Sequence, residues 1–241
     1  MELFKHKKLH DFEELETEYR KGKRFYLTPD GQTYPSITNI LGWFKIKAIK
    51  EWRQRVGEEE AKKVTAQSSR RGTAVHKICE DYLQNNPDYT MKHMPSNLQM
   101  FKTIKQILDD NIKCVYHQEV PLFNPKLRIA GRVDCVCNWN GKDSIVDFKT
   151  SRKFKKKEWV TDYFEQAAAY SLMFEHVTGI HLKNIVIVMA IENDNPVVYE
   201  ESIYEHIPNL IKKIETFHEY YDNKKLDTTI EASIDNAGSI A

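Results

Sequence analysis

Asn140-Gly141 lies between two runs rich in β-branched and apolar residues, Ile129 to Val136 on one side and Ser144 to Phe148 on the other. Both members of an Asn-Gly pair tolerate the positive φ of a type I′ turn, so this pair is the strongest short-range signal for a β-hairpin. With the turn centred there, directly opposed residues have numbers that sum to 281. Asp134 and Asp147 meet that condition, as do Arg132 and Lys149, and the two carboxylates are expected on one face with Cβ atoms about 4.5–5.5 Å apart. Lys149, two residues along from Asp147, shares its face at a distance of about 7 Å. Adjacent carboxylates repel unless a proton, a cation or a metal ion lies between them. A hard divalent ion such as Mg²⁺ resolves that conflict. The alternative is ordinary charge on a half-exposed hairpin, and the apolar character of both runs argues against it, because an unpaired carboxylate in an interior strand is costly.

A chain of 241 residues has room for one elaborated domain or two small ones. It contains no run of about 18 apolar residues, so no membrane-spanning helix is expected. The first twenty residues mix Lys5, Lys7 and Lys8 with Asp11, Glu13, Glu14, Glu16 and Glu18, which fits neither a secretory signal nor an acid-poor transit peptide, and an intracellular location is expected. Cys79, Cys114, Cys135 and Cys137 show no Cys-x-x-Cys spacing and read as free thiols, the last two packed on the strand face opposite Asp134. A net charge of +1 argues against coating nucleic acid by bulk electrostatics. Positive charge is local, at Arg70-Arg71 and in the run Arg152-Lys153-Phe154-Lys155-Lys156-Lys157 that follows the Asp147 strand. Such a run is either a solvated helix start or a set of cations flanking a phosphodiester.

Along the chain, Leu9, Phe12, Leu15 and Tyr19 recur at helical spacing and predict an N-terminal amphipathic helix. Arg24 to Thr28 and Gln32 to Tyr34 read as a small hairpin. Ser36 caps a short helix through Leu41, a longer helix carries Trp52, Val56, Ala61 and Val64, and Gly72 opens another. A helix over Met100 to Leu108 precedes strands at Cys114 to Leu122, Leu127 to Asn138 and Ser144 to Thr150. A helix from Glu158 to Val177, a buried strand at Ile185 to Ala190, an edge strand at Val197 to Ile203 and a helix from Ile207 to Tyr221 complete the order. The class expected is α/β, a mixed sheet flanked by helices with a helical N-terminal extension.

Other polar residues gather around the hairpin. His76 and Glu80 lie one helical turn apart, and Glu80 is placed to orient the imidazole. Glu119, on the preceding strand, either points toward Asp134 or lies at the surface, and His117 is a rival ligand beside it. Gln166 and Tyr170, with Tyr163 on the same side, are either core or a surface where Gln166 bonds a phosphate or base and Tyr170 stacks along a strand.

In this order, His76, Glu119, Gly131-Arg132-Val133-Asp134, Asp147-Phe148-Lys149 and Gln166-Ala167-Ala168-Ala169-Tyr170 resemble the RecB-like branch of PD-(D/E)XK nucleases. Tyr34-Pro35-Ser36-Ile37-Thr38-Asn39-Ile40-Leu41, with Trp52-Arg53 and Arg71-Gly72-Thr73, more narrowly resembles phage exonucleases related to the mitochondrial genome maintenance exonuclease. The resemblance implies a restriction-endonuclease-like sheet and metal-dependent hydrolysis of DNA, preferring single strands or free ends. Under it, His76, Asp134, Asp147 and the Phe148 carbonyl hold Mg²⁺ or Mn²⁺. Asp134, Asp147, Lys149 and Glu119 are catalytic, with Lys149 positioning or deprotonating the attacking water. Arg71, Arg132, Arg152, Lys153, Gln166 and Tyr170 hold nucleic acid. Iron-sulfur members of the branch carry late cysteines that this chain lacks after Cys137, so no cluster is expected. The implied division is a mainly helical portion at 1–68 packed on the core, a nuclease core at 69–222 and a flexible tail at 223–241. If phage-encoded, the chain works in the cytoplasm of a bacterial host. A structure-specific endonuclease and a non-catalytic DNA-binding module retaining the fold stay open as alternatives, as does the oligomeric state.

Overall fold

A computed structural model describes residues 3–238, the side chains of 225–238 excepted. The hairpin forms as its turn chemistry dictates, with Asn140 at φ 48° and Gly141 at φ 85°. Strands β5 (Ile129–Trp139) and β6 (Lys142–Ser151) pair antiparallel from Trp139↔Lys142 to Cys135↔Val146, the register expected. The ladder stops one rung short of Asp134 and Asp147. Arg132 therefore does not face Lys149; it pairs with Pro121 on β4 (Ile112–Asn124).

The main sheet runs β4-β5-β6-β7-β8, where β7 is Asn184–Ile191 and β8 is Val197–Ser202. Only the β6–β7 pairing is parallel, because the crossover helix α5 (Thr161–Thr178) carries the chain back over one face. Gly179 ends α5 in the left-handed region at φ 73° and donates its N–H to the Glu175 carbonyl. One core lies between the sheet and helices α1 (Ile37–Trp43), α5 and α6 (Ile207–Gly238), built on Ile145, Ile185, Ile187 and Phe164. The other lies beneath α3 (Glu58–Leu83) and α4 (Pro95–Asn111), built on Val146, Val186, Ile78 and Leu108. Alternate residues of β6 and β7 serve the two cores, so these strands are apolar on both faces. Among the described residues, no helix is long and apolar enough to cross a membrane.

The N-terminal third departs from the sequence expectation. No helix forms over residues 9–19. Leu9 and Phe12 pack on the main core, Leu15 on a small cluster with Tyr26 and Tyr34, and Tyr19 is 68% exposed. Their spacing imitates a helical stripe, but long-range partners claim the backbone: Lys7 N–H bonds the Val115 carbonyl and Leu9 N–H bonds His117. The expected small hairpin gains a third strand, giving β1 (Thr17–Arg20), β2 (Lys23–Leu27) and β3 (Thr33–Pro35). Gly57, at φ 86°, divides the longer helix into α2 (Ile46–Val56) and α3. Gly72 does not open a helix, because α3 runs through it unbroken, and the expected boundary between residues 68 and 69 falls within that helix. At the other end α6 continues through 223 to Gly238 where a tail was expected, and 239–241 lie outside the described residues.

Candidate active site

Val133 and Val136 both pack in the core beneath α5, while Cys135, Cys137 and Trp139 pack in the core beneath α3. A regular strand cannot send residues three apart to one face, so the alternation of β5 breaks at Asp134. On β4 the opposing position is Glu119, held at φ 49° in the left-handed region. That conformation costs a non-glycine residue of order 1 kcal/mol or more and marks an over-determined site. Its effect is visible in the flanking residues: the Gln118 amide bonds the Glu80 carbonyl on α3 at 3.2 Å, whereas Val120, two residues on, packs against the core beneath α5.

Where β5 and β6 part, Asp134 Oδ2 accepts the Phe148 N–H at 2.8 Å, replacing the missing rung of the ladder. The same oxygen lies 3.4 Å from His76 Nδ1 of α3. One ligand atom from each of His76, Glu119 and Asp134 lies within 4.8 Å of the others, a spacing suited to one cation. Asp147 stands beside this trio with its side chain fully buried and ion-paired to Lys149. Asp147 Oδ2 meets the Lys149 ammonium, while Oδ1 is buried without a hydrogen-bond partner. A buried carboxylate oxygen without a partner is a costly arrangement that persists where another group supplies the missing contact. The trio of one imidazole and two carboxylates, with the Asp147 carboxylate beside it, suits a hard divalent ion.

Electrostatics follow from burial and mutual proximity. Burial pushes the Asp147 carboxyl up to about 6, with Asp134 adding to the rise and Lys149 opposing it. Burial also raises Glu119 to about 7, again with Asp134 contributing. Burial opposes ionisation of Asp134, yet His76, Lys149 and the Phe148 N–H outweigh it and hold Asp134 below the ordinary carboxylate range. Burial likewise opposes protonation of His76, and the Asp134 carboxylate overrides it, lifting the imidazole to about 9. Lys149 is desolvated too, but Asp147 and Asp134 keep its ammonium charged.

The other sequence candidates divide. Glu80 bonds Lys77 and Gln84 instead of the His76 ring, so it does not orient the imidazole. His117 is 6% exposed and accepts the Leu9 N–H through Nε2, which removes it as a ligand. Tyr170 is 2% exposed with its hydroxyl bonded by the Gln166 amide, so its ring has no free face for a base to stack on. The ring fills the space left at Gly131, where a Cβ would meet Tyr170 Cε1 at 2.7 Å. Arg132 is held by the Glu14 carboxylate and the Glu119 carbonyl, a role that braces β4 at its irregular residue. Arg71 bonds Glu192 at 3.2 Å, Arg152 approaches the same carboxylate at 3.7 Å, and the Arg71 Nε is buried without a partner. Lys153 is exposed, and its carbonyl accepts the Ser151 hydroxyl. Sequence reading gave no role to Lys45, which lies 5.8 Å from the Tyr163 ring centre beside Lys149 and Lys155. No local pattern around residue 45 announces that contact, because it depends on how the junction of α1 and α2 meets α5, where Lys45 pairs with Asp162.

The mixed five-stranded sheet with helices on both faces, and the acidic, lysine-bearing centre where two of its strands part, match the PD-(D/E)XK-like architecture expected from the sequence. No family model matches the chain. The chain is homologous to mitochondrial genome maintenance exonuclease 1: it is 28% identical to the Homo sapiens protein over 178 residues, covering 67% of this chain and 50% of that protein. It is 30% identical to the Xenopus tropicalis protein over 156 residues, covering 60% of this chain and 44% of the relative. The chain thus matches about half the length of these relatives. A crystal structure of a proposed exonuclease from Eubacterium rectale superposes with a TM-score of 0.43 at 12% identity, over 64% of this chain and 68% of that one.

Proposed function

We propose that this chain is a DNA exonuclease dependent on Mg²⁺ or Mn²⁺, acting on single strands or free ends. The observation that carries the proposal is the junction of β5 and β6, where His76, Glu119 and Asp134 converge beside the buried Asp147–Lys149 pair. His76, Asp134, Asp147 and the Phe148 carbonyl would hold the ion, with Glu119 within reach of the same position. When bound, a divalent ion lowers the pKa of water and neutralises charge on the phosphate.

The chain's own groups supply the rest of the hydrolysis. Water oxygen bonds to phosphorus, the bridging P–O bond breaks, and the departing oxygen takes a proton. The Lys149 ammonium, kept charged by the two aspartates, stabilises the negative charge that develops on the phosphorane. Glu119, beside the same position, is placed to accept a proton from water. The Phe148 N–H fixes the rotamer of Asp134 and so the direction of its free oxygen. Homology to named exonucleases supports the reaction class.

The test uses linear single-stranded DNA labelled at either end, and a circular single strand of the same sequence, with Mg²⁺ and with chelator. Chelator-sensitive degradation of the linear strand, an intact circle and loss of activity in Asp147→Ala are expected. Cutting of the circle would make the enzyme an endonuclease, and an undiminished Asp147→Ala would move the chemistry elsewhere.

A further inference from the structure

Two large aromatic side chains stand in solvent immediately after the strand that carries Lys149. Phe154 is 52% exposed and Trp159 is 65% exposed. Neither is part of a core, and they are interleaved with cations. Lys156 Nζ lies 5.8 Å from the centre of the Trp159 ring, and Lys153 and Lys156 are exposed. The backbone that presents these rings is fixed at both ends. Ser151 is buried with its hydroxyl bonded to the Lys153 carbonyl at 2.7 Å, and Val160 is buried at the start of α5. The Lys155 carbonyl accepts the Tyr199 hydroxyl at 2.6 Å. The segment is therefore a platform built onto the sheet.

Tyr163 joins this platform to the acidic centre. Lys149 Nζ and Lys155 Nζ each lie 5.2 Å from the centre of its ring, and Lys45 Nζ lies 5.8 Å away. Lys155 also bonds the Tyr163 hydroxyl at 2.7 Å. Three ammonium groups surround this half-buried ring, Lys45 ion-paired to Asp162 and Lys149 to Asp147, and Lys155 continues from Lys149 outward to the exposed aromatics. A partner that meets it must offer repeated negative charge and flat apolar faces at short intervals. A single-stranded nucleic acid does both, with phosphates on the lysines and bases on the rings. A duplex does not, because its bases already stack on one another.

We infer that residues 152–159 with Tyr163 form a stacking platform that reads strandedness: unpaired bases lie on Phe154 and Trp159 while Lys155 and Lys156 hold the phosphates leading to Lys149. The inference deepens the nuclease reading above and rests on it for the direction in which the strand runs. It assigns the preference for single strands to two side chains outside the acidic centre.

The test separates binding from cleavage. Fluorescence anisotropy of a labelled oligothymidylate and of a matched duplex is measured in chelator with the full chain, its Phe154→Ala and Trp159→Ala variants, the double variant and Trp159→Phe. Each ring removed should weaken single-strand binding roughly ten-fold, with the duplex unaffected and Trp159→Phe retaining most of the affinity. Lys156→Ala should instead lower the salt dependence, by about 0.7 in the slope of log affinity against log salt. Unchanged single-strand affinity in the double variant, an equal loss on both substrates, or a wild-type chain that binds no single strand would overturn the platform. A platform that behaves as expected on a chain with no Mg²⁺-dependent cleavage would sink the nuclease reading instead. Melting of each variant at the wild-type temperature is expected, since both rings are exposed, and a lowered melting temperature with the losses above confined to single strands would still support the platform.

Discussion

Replacing Gly131 by alanine places a Cβ 2.7 Å from Tyr170 Cε1 and 3.5 Å from atoms of Ile37 and Met173. The first distance is closer than carbon atoms tolerate. The atom met belongs to a rigid ring, 2% exposed, whose hydroxyl is tied to Gln166. Ile37 and Met173 are fully buried, so the ring has no empty space to move into and either it or β5 must shift. Overpacking of this kind costs about 1–3 kcal/mol. For a chain of this size that corresponds to a fall in Tm of roughly 2–12 °C. The displacement also reaches the centre, because Asp134 follows three residues later on the same strand. Thermal unfolding of Gly131→Ala, Tyr170→Leu and the double variant would measure the effect. The two substitutions should couple favourably by about 0.5–3 kcal/mol, since leucine vacates the position of Cε1. A wild-type Tm for Gly131→Ala, or strictly additive losses, would refute the reasoning that the glycine exists to admit the ring.

Two further outcomes follow from the same geometry. Burial, helped by His10 and Lys8, lowers the His117 imidazole to about 4 from 6.5, and its Nε2 accepts the Leu9 N–H only when neutral. The unfolded chain therefore binds the proton first: stability is complete above pH 6.5 and falls as the pH drops toward 4, by up to about 3 kcal/mol. Urea unfolding of wild type and His117→Gln across that range should show a shallower loss in the variant, and parallel curves would dismiss His117 as the titrating group. At the centre, Lys149→Ala should lower cleavage of single-stranded DNA by roughly 10²–10³-fold in single-turnover measurements. Activity within ten-fold of wild type would remove the Lys149 ammonium from the reacting phosphate.

Much of this was legible in residues close together in the chain. The Asn140-Gly141 turn set the register of β5 and β6, because a two-residue turn fixes which residues oppose. The apolar run from Ile185 to Ala190 announced a strand buried on both faces, and the adjacency of Asp147, Phe148 and Lys149 placed acid and amine on one face. Reading failed where spacing mimicked structure. Leu9, Phe12, Leu15 and Tyr19 repeat like a helix, yet Leu9 and Phe12 pack on the main core, Leu15 on the small cluster of Tyr26 and Tyr34, and Tyr19 stands in solvent.

The sequence by itself determined the hairpin, its register and the neighbourhood of Asp134, Asp147 and Lys149, since steric limits on φ and the two-residue period of a strand act locally. Only the tertiary structure decided that Glu119 would take a left-handed φ, and that His76 would be carried to Asp134 by a helix packed across the sheet. It likewise withdrew Tyr170 into the core and tied Arg132 to Glu14, 118 residues away. Those outcomes depend on which surfaces meet when apolar faces are buried together, and no short window of residues contains both sides of such a contact.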